Sequence, residues 1–507
     1  MQTTEKQKSL SFKDWLLWGP RNKVILFFSI IAIFTQFFAF KYFYPFASYI
    51  HGDSFSYLNA AYKNLSINTY MIGYSMFLRF FSIITSSDTA LVAIQYLLLQ
   101  GSSLFFLLTI FYFYRPRQLT RGLLFCFMLF NPLFLYMANL ISSDALFLAL
   151  SLVWFTLLLW IIIYFPSTML LILHTFILYI AFTVRYNALI YPFIGALAIG
   201  FSNLSLRKKI AGIAAPLLLT GAFILYTCGQ YKALTGTWQY SPFSGWQMTN
   251  NAMYAYRYVD SAKRKPVPAK FKALDNMIRT YFDSTRDIRK HPQEALEAST
   301  VYMWAPQLTL YKYRNMQFTK DSTTSEFKRW ASMGPFYAAY GAYIIRQYPW
   351  QYVQHFLWPN TQKYYAPPVE FLATYNSDKD STAPIALKWF GYKSLRLKAR
   401  AKNLDAPVLE FYPILSGIIN VVMLLGLLCF ILLKGYLQNT TFRKGILLAG
   451  AVWIINAAFT IFASSAALRF QSFPILLTTS FTALIIEWLW NMASTKQEST
   501  QPLIAKS

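Results

Sequence analysis

The chain has 507 residues, 56% of them apolar and 19% aromatic, and only 13% charged, with a mean hydropathy of +0.35. That is far too apolar for a disordered or fibrous chain, and a soluble globular protein carries roughly twice this share of charge, so the composition excludes both and leaves a membrane protein. The 46 Lys and Arg against 20 Asp and Glu give a formal net charge of +26, and because the bases flank apolar blocks or crowd one polar region, anionic headgroups or a phosphate-bearing lipid fit the excess better than nucleic acid.

A polar, basic stretch through Lys23 runs into an apolar segment from Val24 to Phe43 with no small-residue cleavage pattern after it, which predicts a retained first span. Further spans are predicted at 88–113, 121–138, 143–163, 168–184, 187–202, 208–228, 411–434, 443–463 and 470–490, about ten in all. Their basic flanks are Lys6, Lys8, Lys13, Arg21 and Lys23, then Arg115, Arg117 and Arg121, then Arg207, Lys208 and Lys209, then Lys434, Arg443 and Lys444, and finally Lys496. Assigning all of these to the cytoplasm puts both termini inside and residues 44–87 and 229–410 outside. The expected organisation is an all-α polytopic protein with a transmembrane module at 1–228, an extracytoplasmic domain at 229–410 and a second transmembrane module with a short tail at 411–507.

The first external loop carries Tyr49-Ile50-His51-Gly52-Asp53-Ser54-Phe55-Ser56-Tyr57. A carboxylate at this depth is costly unless it faces water, a cation or a cavity, so Asp53 either caps the helix that follows or projects into a reaction cleft. The next apolar segment, Tyr70 to Leu78, is too short for a span; it predicts a second interfacial helix with Tyr74 near the headgroups, and Asp88 reads as a cap for the second span. Between the third and fourth spans, Ser143 and Asp144 stand in a short outside turn, as a helix cap or as a second acid beside Asp53. Arg185, Tyr186, Asn187 and Tyr191-Pro192 follow at the next outside turn.

Residues 229–410 hold 25 Lys and Arg and 13 Asp and Glu, a surplus of 12. Helices are expected over Pro292 to Ala305 and Ser325 to Tyr348, and Pro-punctuated connections over Lys263 to Lys270 and Tyr364 to Val369. The surplus has two readings, a face that meets anionic lipid and an electropositive cavity for a lipid phosphate. Tyr240, Trp246 and Trp304 are candidates to stack on a sugar, with core packing as the plainer role. In the last outside turn, Ser464 to Pro474, a lone Arg469 calls for an acid or a phosphate as partner. Cys126, Cys228 and Cys429 lie in apolar segments without CxxC spacing, and the four histidines lack metal-ligand spacing.

Taken together, Asp53 after the first span, the Tyr70-to-Leu78 segment, Ser143-Asp144, Arg185 with Tyr191-Pro192 and the Arg469-to-Pro474 stretch resemble the integral-membrane glycosyltransferases of the GT-C fold. The likeness is greatest to bacterial relatives of dolichyl-phosphate-mannose protein mannosyltransferases and lipid A aminoarabinose transferases, over the first 230 residues and more loosely over the last three spans. The resemblance implies transfer of a sugar from a polyprenyl-phosphate donor to a lipid, glycan or protein acceptor on the extracytoplasmic side, in a bacterial inner membrane, usually with inversion. It implies Asp53 as general base, Asp144 to orient the acceptor, pair with one of the arginines or help hold a divalent ion, and Arg185 and Arg469 on the leaving phosphate, with Tyr57, Tyr74 and Tyr191 as further substrate contacts. Ser54 follows Asp53 where the family often has a second acid, so no cofactor is expected and a divalent metal is not favoured; Phe470 follows Arg469 where a Tyr is common. Competing classes are a transporter or flippase for an anionic lipid or glycolipid, and a lipid-diphosphate-dependent polysaccharide ligase or polymerase.

Overall fold

Long runs of apolar residues with few charges become helices, because inside a bilayer each backbone N–H and C=O must be satisfied within its own segment. In the computed structural model, which describes residues 11–164, 167–319 and 323–500 (side chains only to 494), α1 (Phe12–Trp18) leads into α2 (Pro20–Phe43). Lys6, Lys8 and the side chain of Lys496 lie outside the described residues. Two short helices follow, α3 (Asp53–Tyr62) and α4 (Gly73–Ser82), and then α5 (Asp88–Tyr114). The next apolar stretch is interrupted at Pro132 into α6 (Gln118–Leu129) and α7 (Pro132–Asn139), where the Asn131 side chain accepts from the Leu133 N–H to start the second piece. α8 (Asp144–Ile163), α9 (Thr168–Val184), α10 (Tyr191–Gly200) and α11 (Leu206–Thr235) complete the first block.

The region between the two apolar blocks is built from α12 (Pro242–Tyr256), α13 (Lys272–Ser284), α14 (Pro292–Ala295), α15 (Val301–Trp304), α16 (Thr309–Gln317), α17 (Glu326–Ser332), α18 (Gly334–Gln347), α19 (Pro349–Tyr352), α20 (Trp358–Tyr365) and α21 (Pro384–Phe390). The expected helix over 292–305 is two single turns, because Ala298 sits at φ 44° and Asn250 takes over the local backbone: its Nδ2 donates to the Ser299 carbonyl and its Oδ1 accepts from the Met303 N–H. The expected helix over 325–348 breaks before Gly334-Pro335, where proline withholds an N–H. α12 and α18 pack backbone against backbone. A Cβ on Gly341 would lie 2.7 Å from the Met248 carbonyl carbon and the Thr249 nitrogen, so only glycine fits.

Residues 229–410 do not share one core. Trp246, Tyr302, Tyr337, Tyr340 and their neighbours form a separate aromatic cluster, whereas Leu372, Ala386, Phe390, Leu397 and Leu409 pack into the core of the apolar bundle. The segment 366–409 is therefore a strap laid across the bundle end. It grips the first loop through Asn376, whose Oδ1 accepts from the Tyr49 N–H at 3.1 Å and whose N–H donates to Ser48 Oγ at 2.8 Å. Asp88, expected as a cap, instead ties the same loop down: it accepts from the Ala47 N–H and from the Tyr392 hydroxyl, each at 2.8 Å, while Ser87 caps α5.

α22 (Tyr412–Leu432), α23 (Thr440–Ala463) and α24 (Leu468–Thr500) close the bundle. Among the described residues, eight helices are long and apolar enough to cross a membrane. The predicted spans at 168–184 and 187–202 correspond to α9, of 17 residues, and to a shorter helical stretch that ends in α10; both are apolar and shorter than the eight. α8 is the hub, with 78% of its apolar window buried against other helices, while α2 and α11 bury only 22% of theirs and turn apolar surface outward. No strand occurs among the described residues; three isolated bridges, including Ser48 with Leu140, join loops at one end of the bundle.

Candidate functional site

That end of the bundle gathers the turn before α3, the turn between α7 and α8, the end of α9 and the start of α24, with α12, α15 and the strap above them. Between these elements lies a cavity of about 1250 Å³. Asp53, Tyr57, Asp144, Arg185 and Arg469 all line it, although they come from separate parts of the chain.

Gly52 makes the approach of Asp53 possible. Its φ of 94° is a conformation open to glycine at little cost, and it turns the chain so that Asp53 enters α3 with its carboxylate toward the cavity. Asp53 is no cap: its Oδ1 accepts from the Tyr70 hydroxyl at 2.6 Å and its Oδ2 from Arg469 Nη1 at 2.9 Å. Asp144, with a side chain 1% exposed, is the deeper acid. It pairs with Arg185 through Oδ1, and its Oδ2 accepts from the Ser142 hydroxyl at 2.7 Å and from Arg469 Nη1 at 3.3 Å. Ser143, the other candidate cap, makes no side-chain cap bond; its hydroxyl instead meets the Tyr57 hydroxyl at 3.1 Å.

Arg469 therefore bridges two carboxylates, and Asp144 bridges two guanidiniums. Phe470 lies under both cations, its ring 4.4 Å from the Arg469 guanidinium and 4.6 Å from that of Arg185. Phe371 of the strap covers Arg469 from another side at 5.2 Å. The aromatic faces attract the cations while excluding water from the pairs. Arg469 Nε is buried with no hydrogen-bond partner.

Two expected contacts lie elsewhere. Tyr74 is fully buried and donates to Gln95 Oε1 at 2.8 Å. Tyr191 donates to Ser151 Oγ at 2.6 Å and stacks on Trp154 with ring centroids 3.9 Å apart. Neither lines the cavity. Of the sugar-stacking candidates, Trp246 is core, whereas Tyr240 and Trp304 face the cavity. Burial raises the phenol pKa of Tyr57 and, with Asp53 adding to the effect, that of Tyr70, so both are hydrogen-bond donors at neutral pH.

The expectation of an electropositive cavity is not met. The lining has three carboxylates, Asp53, Asp144 and Glu370, against two guanidiniums, an excess of one negative charge. None of the described Lys and Arg of the inserted region lines the cavity; Arg257, Arg264 and Arg279, for example, pair locally with Glu294, Asp283 and Asp275. Glu370 and Tyr70 are the residues that sequence reasoning passed over. Tyr70 stands at the head of a segment noted for its helix, and nothing local marks its hydroxyl. Glu370 reaches the cavity only because the strap folds back, the Leu468 N–H donating to the Pro368 carbonyl at 2.9 Å.

No group of three or more His, Cys, Asp or Glu side chains suited to a metal ion occurs among the described residues. No family model, curated protein or solved structure matches the chain.

Proposed function

We propose that this protein is a membrane glycosyltransferase that moves a sugar from a polyprenyl-phosphate donor to an acceptor at the extracytoplasmic face of a bacterial inner membrane, with both termini cytoplasmic. The observation that carries the reading is the convergence of Asp53, Asp144, Arg185 and Arg469, distant in the chain, on one large cavity at the end of an apolar bundle.

The chemistry needs a base for the acceptor and cations for the leaving phosphate. The acceptor hydroxyl gives its proton to Asp53 as its oxygen attacks the anomeric carbon. The bond from that carbon to the phosphate oxygen breaks, its electron pair stays on the phosphate, and polyprenyl phosphate departs with inversion at the sugar. Arg469 links the two halves. It shares its guanidinium between Asp53 and Asp144 and keeps an unpaired Nε, so a phosphate at Nε draws the guanidinium away and leaves Asp53 Oδ2 free for the proton. Asp144 holds Arg185 and Arg469 in register throughout, and no metal enters these steps.

The test is transfer from a panel of radiolabelled polyprenyl-phospho-sugars in reconstituted membranes, with and without chelator. The native protein should turn over, chelation should leave the rate intact, and Asp53→Asn should lower it about 100-fold or more. Movement of donor across the bilayer without bond cleavage would make the protein a transporter and end this reading.

A further inference from the structure

The cavity has two unlike walls. The floor is the charged cluster; the adjoining wall, from α12, α15 and the strap, holds hydrogen-bond acceptors without partners. The hydrogen-bond network there assigns the amide orientations. Asn251 Nδ2 points at the Phe462 and Ala463 carbonyls, which only accept, so its Oδ1 faces the other way and receives Gln247 Nε2 at 2.7 Å and Asn250 Nδ2 at 3.2 Å. That leaves Gln247 Oε1 without a partner although the residue is only 3% exposed, and Gln247 lines the cavity. A buried amide oxygen left unpaired is costly unless something comes to it.

Glu370 presents a second unspent acceptor. Among the described residues lining the cavity it is the one carboxylate with neither a hydrogen bond nor an ion pair. Its backbone is at φ 50°, a left-handed conformation that costs a non-glycine residue energy. The side chain is open to the cavity, but the protein close around it still pushes its carboxyl above the usual glutamate range, with Arg469 and Lys363 opposing and Asp53 adding to the shift. Both walls lie beside a platform of rings in which Trp304 sits 6.0 Å from Phe243 and 6.1 Å from Tyr70.

We infer that this wall is a subsite for an uncharged, hydroxyl-rich group, a sugar ring, that donates hydroxyls to Gln247 and Glu370 and lays its C–H face on Trp304. Acceptors without partners call for a ligand rich in donors, which excludes an anion. Two cations already stand near Glu370, Arg469 and Lys363, which disfavours a third and selects hydroxyls over an ammonium group. Naming this sugar as part of the acceptor rests on the transferase reading; the site itself does not.

The experiment is saturation-transfer NMR on the full chain in nanodiscs, with methyl glycosides and short oligosaccharides of glucose, galactose and mannose, methyl glucosaminide and glucose 1-phosphate as probes. At least one neutral saccharide should bind saturably, and Gln247→Met, Glu370→Gln and Trp304→Leu should each weaken it about tenfold. The three substitutions lie on separate segments, so misfolding of one leaves two informative. Preference for the amine or the phosphate, or no binding by any neutral sugar, overturns the subsite. Saccharide binding without transfer from any donor would end the transferase reading and keep the subsite; transfer to a sugar-free acceptor with no saccharide binding would do the reverse.

Discussion

The floor and the roof of the cavity solve different problems with different residues. The floor comes from the ends of apolar helices, where an isolated charge is expensive, and there Asp144, Arg185 and Arg469 are paired, with aromatic rings laid over the cations. The roof comes from the inserted region, with α12 and α15 on its separate aromatic core and Glu370 on the strap, and it leaves Gln247 Oε1 without a partner and Glu370 without an ion pair. The floor is built so that its charges stay put until a stronger partner arrives; the roof is built with vacant acceptors.

The largest break in this comparison is Asp144→Asn. The substitution keeps the shape and removes the charge that Arg185 and Arg469 share at a position whose side chain is 1% exposed. Leaving a buried guanidinium without its counter-ion should cost about 3–5 kcal/mol, read as a lowered melting temperature in detergent or nanodiscs. An Asp144→Asn protein as stable as the native one would mean that the floor is far wetter than its geometry implies.

A second substitution separates roof from floor. Gly341→Val forces a side chain into the α18–α12 backbone contact, 2.7 Å from main-chain atoms that cannot step aside. Overpacking of this kind should cost about 2–3 kcal/mol, and it should act on the aromatic core around Trp246. Limited proteolysis should then open the 236–357 region while the bundle stays protected. Equal loss of protection in both would show that the two cores unfold as one unit.

How much of this was legible beforehand differs in the same way between floor and roof. Short turns between successive apolar segments force their end residues together, so Asp53, Asp144, Arg185 and Arg469 could be assigned to one face from the chain alone. Aromatic residues at the same turns carried no such constraint. Tyr74 and Tyr191 have the composition of interface residues, yet packing against Gln95 and Trp154 turned their hydroxyls into the core. The roof was nearly illegible, because Glu370 owes its position to a strap whose bonds reach Leu468 and Ser48, far away in sequence. Net charge misled for a related reason: a surplus of bases says nothing about where in the fold they stand, and none of the described Lys and Arg of the inserted region lines the cavity. The two short apolar helices, α9 and α10, read as spans by composition and are shorter than the eight long ones, yet α9 returns the chain from the end of α8 to the end that holds Asp144, where Arg185 pairs with it.

The smallest expected effect gives the sharpest test of the roof, because it runs opposite to ordinary mutagenesis. A carboxyl whose pKa is raised on folding binds its proton more tightly in the folded state, so the stability linked to it is present at low pH and is lost as pH rises through the folded value. Below the ordinary glutamate value of 4.5 both states are protonated and Glu370 imposes no penalty. Above its raised folded value the penalty is complete. Glu370→Gln removes the charge and keeps the shape, so the variant should melt slightly higher than the native protein at neutral pH, with the gain shrinking to nothing by about pH 4. The same variant should lose saccharide binding. A residue that lowers stability where it is charged, and whose replacement raises stability while weakening a ligand, is held for that ligand; a difference in melting temperature that ignored pH would show Glu370 to be an ordinary solvated side chain.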